Sequence, residues 1–187
     1  AGTTVMVSIV IGITLVANAI SIGNYQRFDL TGLAQFTLTS QTKDFLSQME
    51  QPVQVFLFST PADPYAIGTF ADSLLTEYQN NTDQISIEYV DPDEYPEQAR
   101  QYGVIEYPSV VFDNNNRQKL VSPLEILDEA EYAFTSAILE VTGIVQKKVY
   151  FLTGHDEANI NSTASNGYSR ARLGLLDNLY KVATLDL

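Results

Sequence analysis

Apolar and polar positions follow three different rhythms along this chain. Residues 5–22 read VMVSIVIGITLVANAISI, an apolar run interrupted only by Ser8, Thr14, Asn18 and Ser21. A hydrocarbon core about 30 Å thick takes about 20 helical residues at about 1.5 Å rise each, so the run is just long enough to span a bilayer. Lipid forces backbone groups to bond within the segment, which predicts a helix in spite of its valines. Val5, Ile9, Ile13, Val16 and Ile20 would form the anchor, with Tyr25 and Arg27 at the interface. A cleaved signal peptide is a competing reading, because Ala17-Asn18-Ala19 resembles a small-residue cleavage pattern. A buried core helix is another, but such helices carry a polar stripe and none is clear here. The chain opens on Ala1 rather than Met, so upstream residues are expected and charge bias leaves the orientation open.

Beyond residues 25–36, a polar–apolar stretch with a Gly break, the rhythm turns globular. Phe45, Leu46 and Met49 share one helical face, with Thr39 or Ser40 as the cap and Pro52 as the stop. Residues 53–59 (VQVFLFS) predict a buried strand. Asp63 would then cap a helix with Pro64 in its first position, running to about residue 79 with Phe70, Leu74, Leu75 and Tyr78 inward. Residues 85–90 alternate as a strand, and Asp91-Pro92-Asp93 would start a helix closed by Gly103. A strand over residues 109–112, a hairpin turn at 113–117, a return at 118–121 and a long helix over 124–141 complete an α/β sandwich. The pattern then restarts: a strand at residues 149–153, a polar loop, a helix at 168–180 and a strand at 182–187. One strand–helix–strand unit cannot cover both faces of a parallel sheet. The chain is therefore expected to stop inside a second α/β domain of a longer protein. The expected organisation is an anchor (1–26), a juxtamembrane segment and helix (27–51), a first domain (52–145) and the start of a second (146–187).

Composition narrows the chemistry. The 187 residues hold 10 basic and 23 acidic side chains, a net charge of −13, and no cysteine. Every charge lies at or after Arg27. A disulfide scaffold, a Cys-ligated metal site and dithiol redox chemistry are excluded, and a field of this sign repels nucleic acid. Normal apolar content with 9 Phe and 11 Tyr argues against disorder.

Two resemblances follow. The strand at 53–59, the loop and helix from Asp63, and Gly103-Val104-Ile105-Glu106-Tyr107-Pro108-Ser109-Val110-Val111-Phe112 resemble a thioredoxin fold, in which Pro108 would be a cis proline before a strand. Where thioredoxins carry Cys-x-x-Cys, this chain has Pro61-Ala62-Asp63-Pro64-Tyr65, so thiol exchange is excluded. More widely, Arg27-Phe28-Asp29-Leu30-Thr31, Phe36-Thr37-Leu38-Thr39-Ser40-Gln41-Thr42, Pro52-Val53-Gln54-Val55, Asp91-Pro92-Asp93, Tyr102-Gly103-Val104, Glu131 with Thr135-Ser136-Ala137, and residues 149–157 (VYFLTGHDE) are similar in order to the GldG-like family, first associated with gliding motility. That resemblance implies a single-pass, extracytoplasmic auxiliary subunit in the cell membrane. Its partners would be the lipid bilayer and the permease and ATPase of an ABC transporter, and its second domain would be flavodoxin-like, of class I amidotransferase type. The chain has no Walker motif, so the ATPase would be another polypeptide.

Candidate sites each have a plainer alternative. His155, the only histidine, follows a strand end with Asp156 and Glu157. That trio suits a metal, acid–base chemistry or ligand binding, or simply a polar turn. Asp91, Asp93, Glu94 and Glu97 could hold Ca²⁺ or only favour a helix N-terminus. The oxygens of residues 113–116 are best read as a hairpin tip. Tyr89, Tyr95, Tyr102 and Tyr107, near Pro108, could form a docking patch or ordinary packing. Asn80-Asn81-Thr82 and Asn161-Ser162-Thr163 match the glycosylation acceptor pattern. No catalytic residue, metal or cofactor is expected. The leading expectation is a non-catalytic auxiliary subunit that binds protein or ligand. A structural subunit of another membrane assembly, with Gly12, Ala17 and Ala19 permitting close helix approach, and a binding module or enzyme built on His155 remain open beside it.

Overall fold

A computed structural model describes residues 37–155 and 157–186. The apolar segment, with Val5, Ile9, Ile13, Val16, Ile20, Tyr25 and Arg27, lies outside the described residues, as does Asp156. Among the described residues no helix is long and apolar enough to cross a membrane.

Helix α1 (Ser40–Ser47) starts where the sequence places it, with the Thr39 hydroxyl accepting the Thr42 N–H. Strand β1 (Val53–Phe58) is central, parallel to β2 (Ile85–Val90) and antiparallel to β3 (Ser109–Asp113), with β4 (Gln118–Val121) beyond β3. The sheet order is therefore β2-β1-β3-β4. Alternate residues of a strand face opposite sides. Val53, Val55 and Leu57 thus join α1, α2 (Ile67–Asn81) and α4 (Pro123–Val141) in the larger core. Phe56 and Phe58 turn to the other side, toward Ala99 of α3 (Pro96–Gln101), Tyr102 and Val104. Two covered faces explain why β1 is apolar at every position but Gln54. Phe134 of α4 sits at the centre of the larger core, 5.5 Å from the Phe112 ring and 6.1 Å from Tyr78.

The peptide bond before Pro108 is cis. A parallel βαβ half, an antiparallel ββα half and a cis proline heading β3 make this a mixed α/β, thioredoxin-like fold, as residues 103–112 led one to expect.

Three local expectations are corrected. Helix α2 begins at Ile67, not Pro64, because Ala66 takes a left-handed conformation (φ 53°) that breaks the helical run. Helix α3 begins at Pro96, not at Asp91. Residues 91–95 form a turn in which the Tyr95 N–H donates to the Asp91 carbonyl at 2.8 Å. Helix α4 is interrupted at Glu129, whose φ of −150° and ψ of 67° are not helical. Gly103 closes α3 as expected. Its φ of 68° is open to a residue without Cβ, and the Val104 N–H then reaches back to the Ala99 carbonyl at 2.8 Å.

Strands β5 (Lys148–Thr153) and β6 (Lys181–Asp186) form a separate parallel pair, joined through α5 (Ser169–Asp177). Phe151 meets the Tyr168 ring at 6.2 Å on one face. Tyr150, Leu152 and Leu185 are exposed on the other.

Candidate interaction site

Register places three loops at one end of the four-stranded sheet. Phe58 pairs with Val90 on one side and Ser109 on the other, so residues 59–66, 91–95 and 104–108 emerge side by side. The Ser59 N–H donates to the Val90 carbonyl at 3.1 Å and ties the first two loops together. This is the end where α/β sheets commonly hold ligands, at the carboxyl ends of the parallel strands. Pro108 and Ser109 are buried beneath it. Tyr65 (83%), Ile105 (88%), Tyr95 (57%) and Tyr107 (41%) stand exposed above it, an apolar surface that folding has left open.

The first loop occupies the place of the dithiol in a redox thioredoxin. Here Asp63 accepts the Gly68 N–H at 2.6 Å and satisfies a donor of the first turn of α2. A Cβ on Gly68 would press on the Ser59 side chain and stand 3.1 Å from the Asp63 carboxylate, so the loop packs closely on the start of the helix. The loop is thus held by backbone and carboxylate contacts and carries no thiol.

The four tyrosines picked out by sequence divide. Tyr95 and Tyr107 belong to the exposed end. Tyr102 packs on Phe56, ring centres 4.6 Å apart, and on Phe58 at 6.0 Å; burial, then the nearby Asp113 carboxylate, raises its pKa. Tyr89 donates to the Asp72 carboxylate at 2.6 Å, which pushes its pKa to about 12. Of the acids, Asp91 accepts the Asp93 N–H at 2.9 Å in a local turn, and Glu97 pairs with Arg100 at 2.5 Å. Among the described residues no group of three His, Cys, Asp or Glu side chains is placed to hold a metal.

His155 lies after β5, in the other sheet from Tyr107 and Pro108. Its side chain is 67% exposed, its N–H donates to the Glu157 carboxylate at 2.7 Å, and its Nδ1 is 3.9 Å from that carboxylate's other oxygen. These are contacts of a polar turn.

Two constellations escaped the sequence reading. In the first, the N–H and hydroxyl of Thr39 both donate to Oε1 of Glu131 at 2.8 Å. Thr42 and Thr135 bring their hydroxyls to 3.4 Å, and the Tyr78 hydroxyl is 2.6 Å from that of Thr135 and 2.8 Å from the Glu131 carbonyl. One proton order satisfies all of them: Thr42 donates to Thr135, Thr135 to Tyr78, and Tyr78 to the carbonyl. Burial, the largest cause, holds the Tyr78 pKa well above its usual value. Thr39, Thr42, Glu131 and Thr135 all fall in the motif pieces quoted above, but Thr39 and Glu131 stand 92 positions apart and their meeting had no local signal. The second is a cleft of about 240 Å³ between α4 and β4 on one side and α5 and β6 on the other. Glu129 and Arg172 pair at 2.5 Å across it. Lys119 and Lys181 lie 3.8 and 3.9 Å from one oxygen of Glu140. Tyr132, also in the wall, has its pKa raised mainly by burial.

Residues 34–127 match the family model described as "Domain of unknown function (DUF7088)". No curated protein matches the chain. Among solved structures, the NTD_N/C domain of alkylhydroperoxide reductase AhpF from Enterococcus faecalis (V583) is similar at 15% identity. That match covers 78% of this chain and 76% of the other, with a TM-score of 0.41. A protein disulfide oxidoreductase from Aeropyrum pernix K1 is similar at 12% identity over 86% of this chain and 76% of the other, with a TM-score of 0.38. The architecture itself rests on the strand order and register described above.

Proposed function

This chain belongs to the family described as domain of unknown function DUF7088, and from that premise we propose that it is a non-catalytic, membrane-anchored auxiliary subunit of an ABC-transporter-type complex. Its folded part would lie outside the cytoplasm and bind protein or ligand. One observation carries the binding half of this reading. The end of the sheet that supports thiol chemistry in redox thioredoxins here carries no cysteine, holds its loop with Asp63, and exposes Tyr65, Tyr95, Ile105 and Tyr107 instead. Such a surface suits recognition, since aromatic side chains supply large contact area at low entropic cost.

The membrane half is supported by the uncharged residues 1–26 and by the ordered resemblance to GldG-like proteins. The same resemblance supports reading the β5-α5-β6 unit as the start of a flavodoxin-like domain. Its parallel pair, with one face open, is the geometry that such a start would have.

The test is affinity purification of the tagged chain from its native membrane, combined with protease treatment of intact cells. Co-purification of an ABC permease, with the body digested before permeabilisation, is the expected result. Recovery of a different membrane complex without a transporter would favour the structural-subunit reading. A body cut only after permeabilisation would remove the extracytoplasmic placement.

A further inference from the structure

We infer that the partner segment received at the Tyr107–Pro108 end is cationic, with lysines or arginines flanking an aliphatic or aromatic residue. This rests on the reading of that end as a binding face and adds the chemistry of its occupant. The three loops that meet there, residues 59–66, 91–95 and 104–108, carry Asp63, Asp91, Asp93, Glu94 and Glu106 and no lysine or arginine. Two of these carboxylates have internal employment: Asp63 accepts the Gly68 N–H, and Asp91 accepts the Asp93 N–H. The side chains of Asp93, Glu94 and Glu106 are exposed, and no hydrogen bond or ion pair engages them among the described residues. The nearest base in sequence, Arg100, is paired with Glu97.

The consequence is an apolar surface set among carboxylates that, among the described residues, no base neutralises. Tyr65 and Ile105 are more than four-fifths exposed and invite an apolar contact, while the surrounding carboxylates decide its sign. A nucleic acid, an anionic membrane surface or a second copy of this −13 chain would bring like charge to the face. A cationic segment brings the complement. Its lysine or arginine stems can lie on the tyrosine rings while their heads reach the carboxylates.

The experiment uses the full chain in a neutral detergent and three acetylated, amidated heptapeptides. The first is Lys-Ser-Lys-Leu-Lys-Ser-Lys, the second replaces each lysine by glutamate, and the third replaces the leucine by serine. Affinity is read by isothermal titration calorimetry, and the Ile105 methyl signal by NMR reports the place. The lysine–leucine peptide should bind, shift Ile105, and weaken at least about tenfold between roughly 20 and 300 mM salt. The triple variant Asp93→Asn, Glu94→Gln, Glu106→Gln should lose about tenfold, whereas Asp44→Asn, Asp83→Asn, Asp177→Asn, which removes equal charge from exposed sites outside the three loops, should lose less than about twofold. Equal losses from the two triples would mean diffuse attraction and overturn the proposal. Equal binding of the glutamate peptide at Ile105 would overturn the cationic partner but leave the binding face standing. No shift at Ile105 with any peptide would overturn both.

Discussion

Glu131 connects distant parts of the sequence through one carboxylate oxygen and its own carbonyl. Thr39 occupies the first, and Tyr78 reaches the second. Because Tyr78 is fully buried, losing its hydroxyl leaves partners that water cannot reach. Tyr78→Phe should therefore cost about 1–3 kcal/mol in urea unfolding. Thr135→Val should cost a similar amount. The double variant should cost less than the sum, because removing both partners leaves fewer unsatisfied groups. The tyrosines also set an alkaline limit. Tyr78 is raised by burial, and Tyr89 is raised from 10.0 to about 12 by its bond to Asp72. Above pH 10 the unfolded chain loses protons that the native chain still holds, so its ionisation favours unfolding. Stability from these groups should be fully present below pH 10 and fall as pH rises toward 12, with Tyr89→Phe flattening the decline in urea midpoints.

Elements were legible where their pattern is forced by burial on both sides, and less so where a terminus depends on geometry. Strands β1 and β3 are covered on two faces, so VQVFLF and VVF could hardly be anything else. The start of α3 was misplaced because the acids at 91–94 look like a helix N-terminus. Pro96 disfavours the helical conformation at Tyr95 and lacks the N–H that a helix interior needs, so it sits at the first turn instead. The interruption of α4 had no such signal, since Asp128, Glu129 and Ala130 are compatible with a helix. It coincides with the Glu129–Arg172 pair, whose side chains are only 19% and 25% exposed. A double-mutant cycle with Glu129→Ala and Arg172→Ala should give a coupling of about 1–3 kcal/mol. A coupling near zero would show that this pair does little to hold α5 against α4. The candidate site was legible in part. Tyr107 and Pro108 were found from their motif, whereas the exposure of Tyr65 and Ile105 depends on which loops the register brings together.

At the scale of the whole molecule, the acid excess is not evenly spent. Lys119, Arg172 and Lys181 gather at the cleft between the sandwich and the β5-α5-β6 unit, where Glu129 and Glu140 answer them. The loops at the Tyr107–Pro108 end contain no lysine or arginine, and among the described residues no ion pair engages their acids. The β5-α5-β6 unit is thus joined to the sandwich partly by charge, and the opposite arrangement leaves one sheet end to meet something else. The tie between Thr39 and Glu131 has a mechanical consequence. Tension arriving at residue 37 would be handed at once to the second half of α4, which runs through the main core, before it could peel α1 away residue by residue. Whatever pulls on the beginning of this domain would therefore tug on its centre.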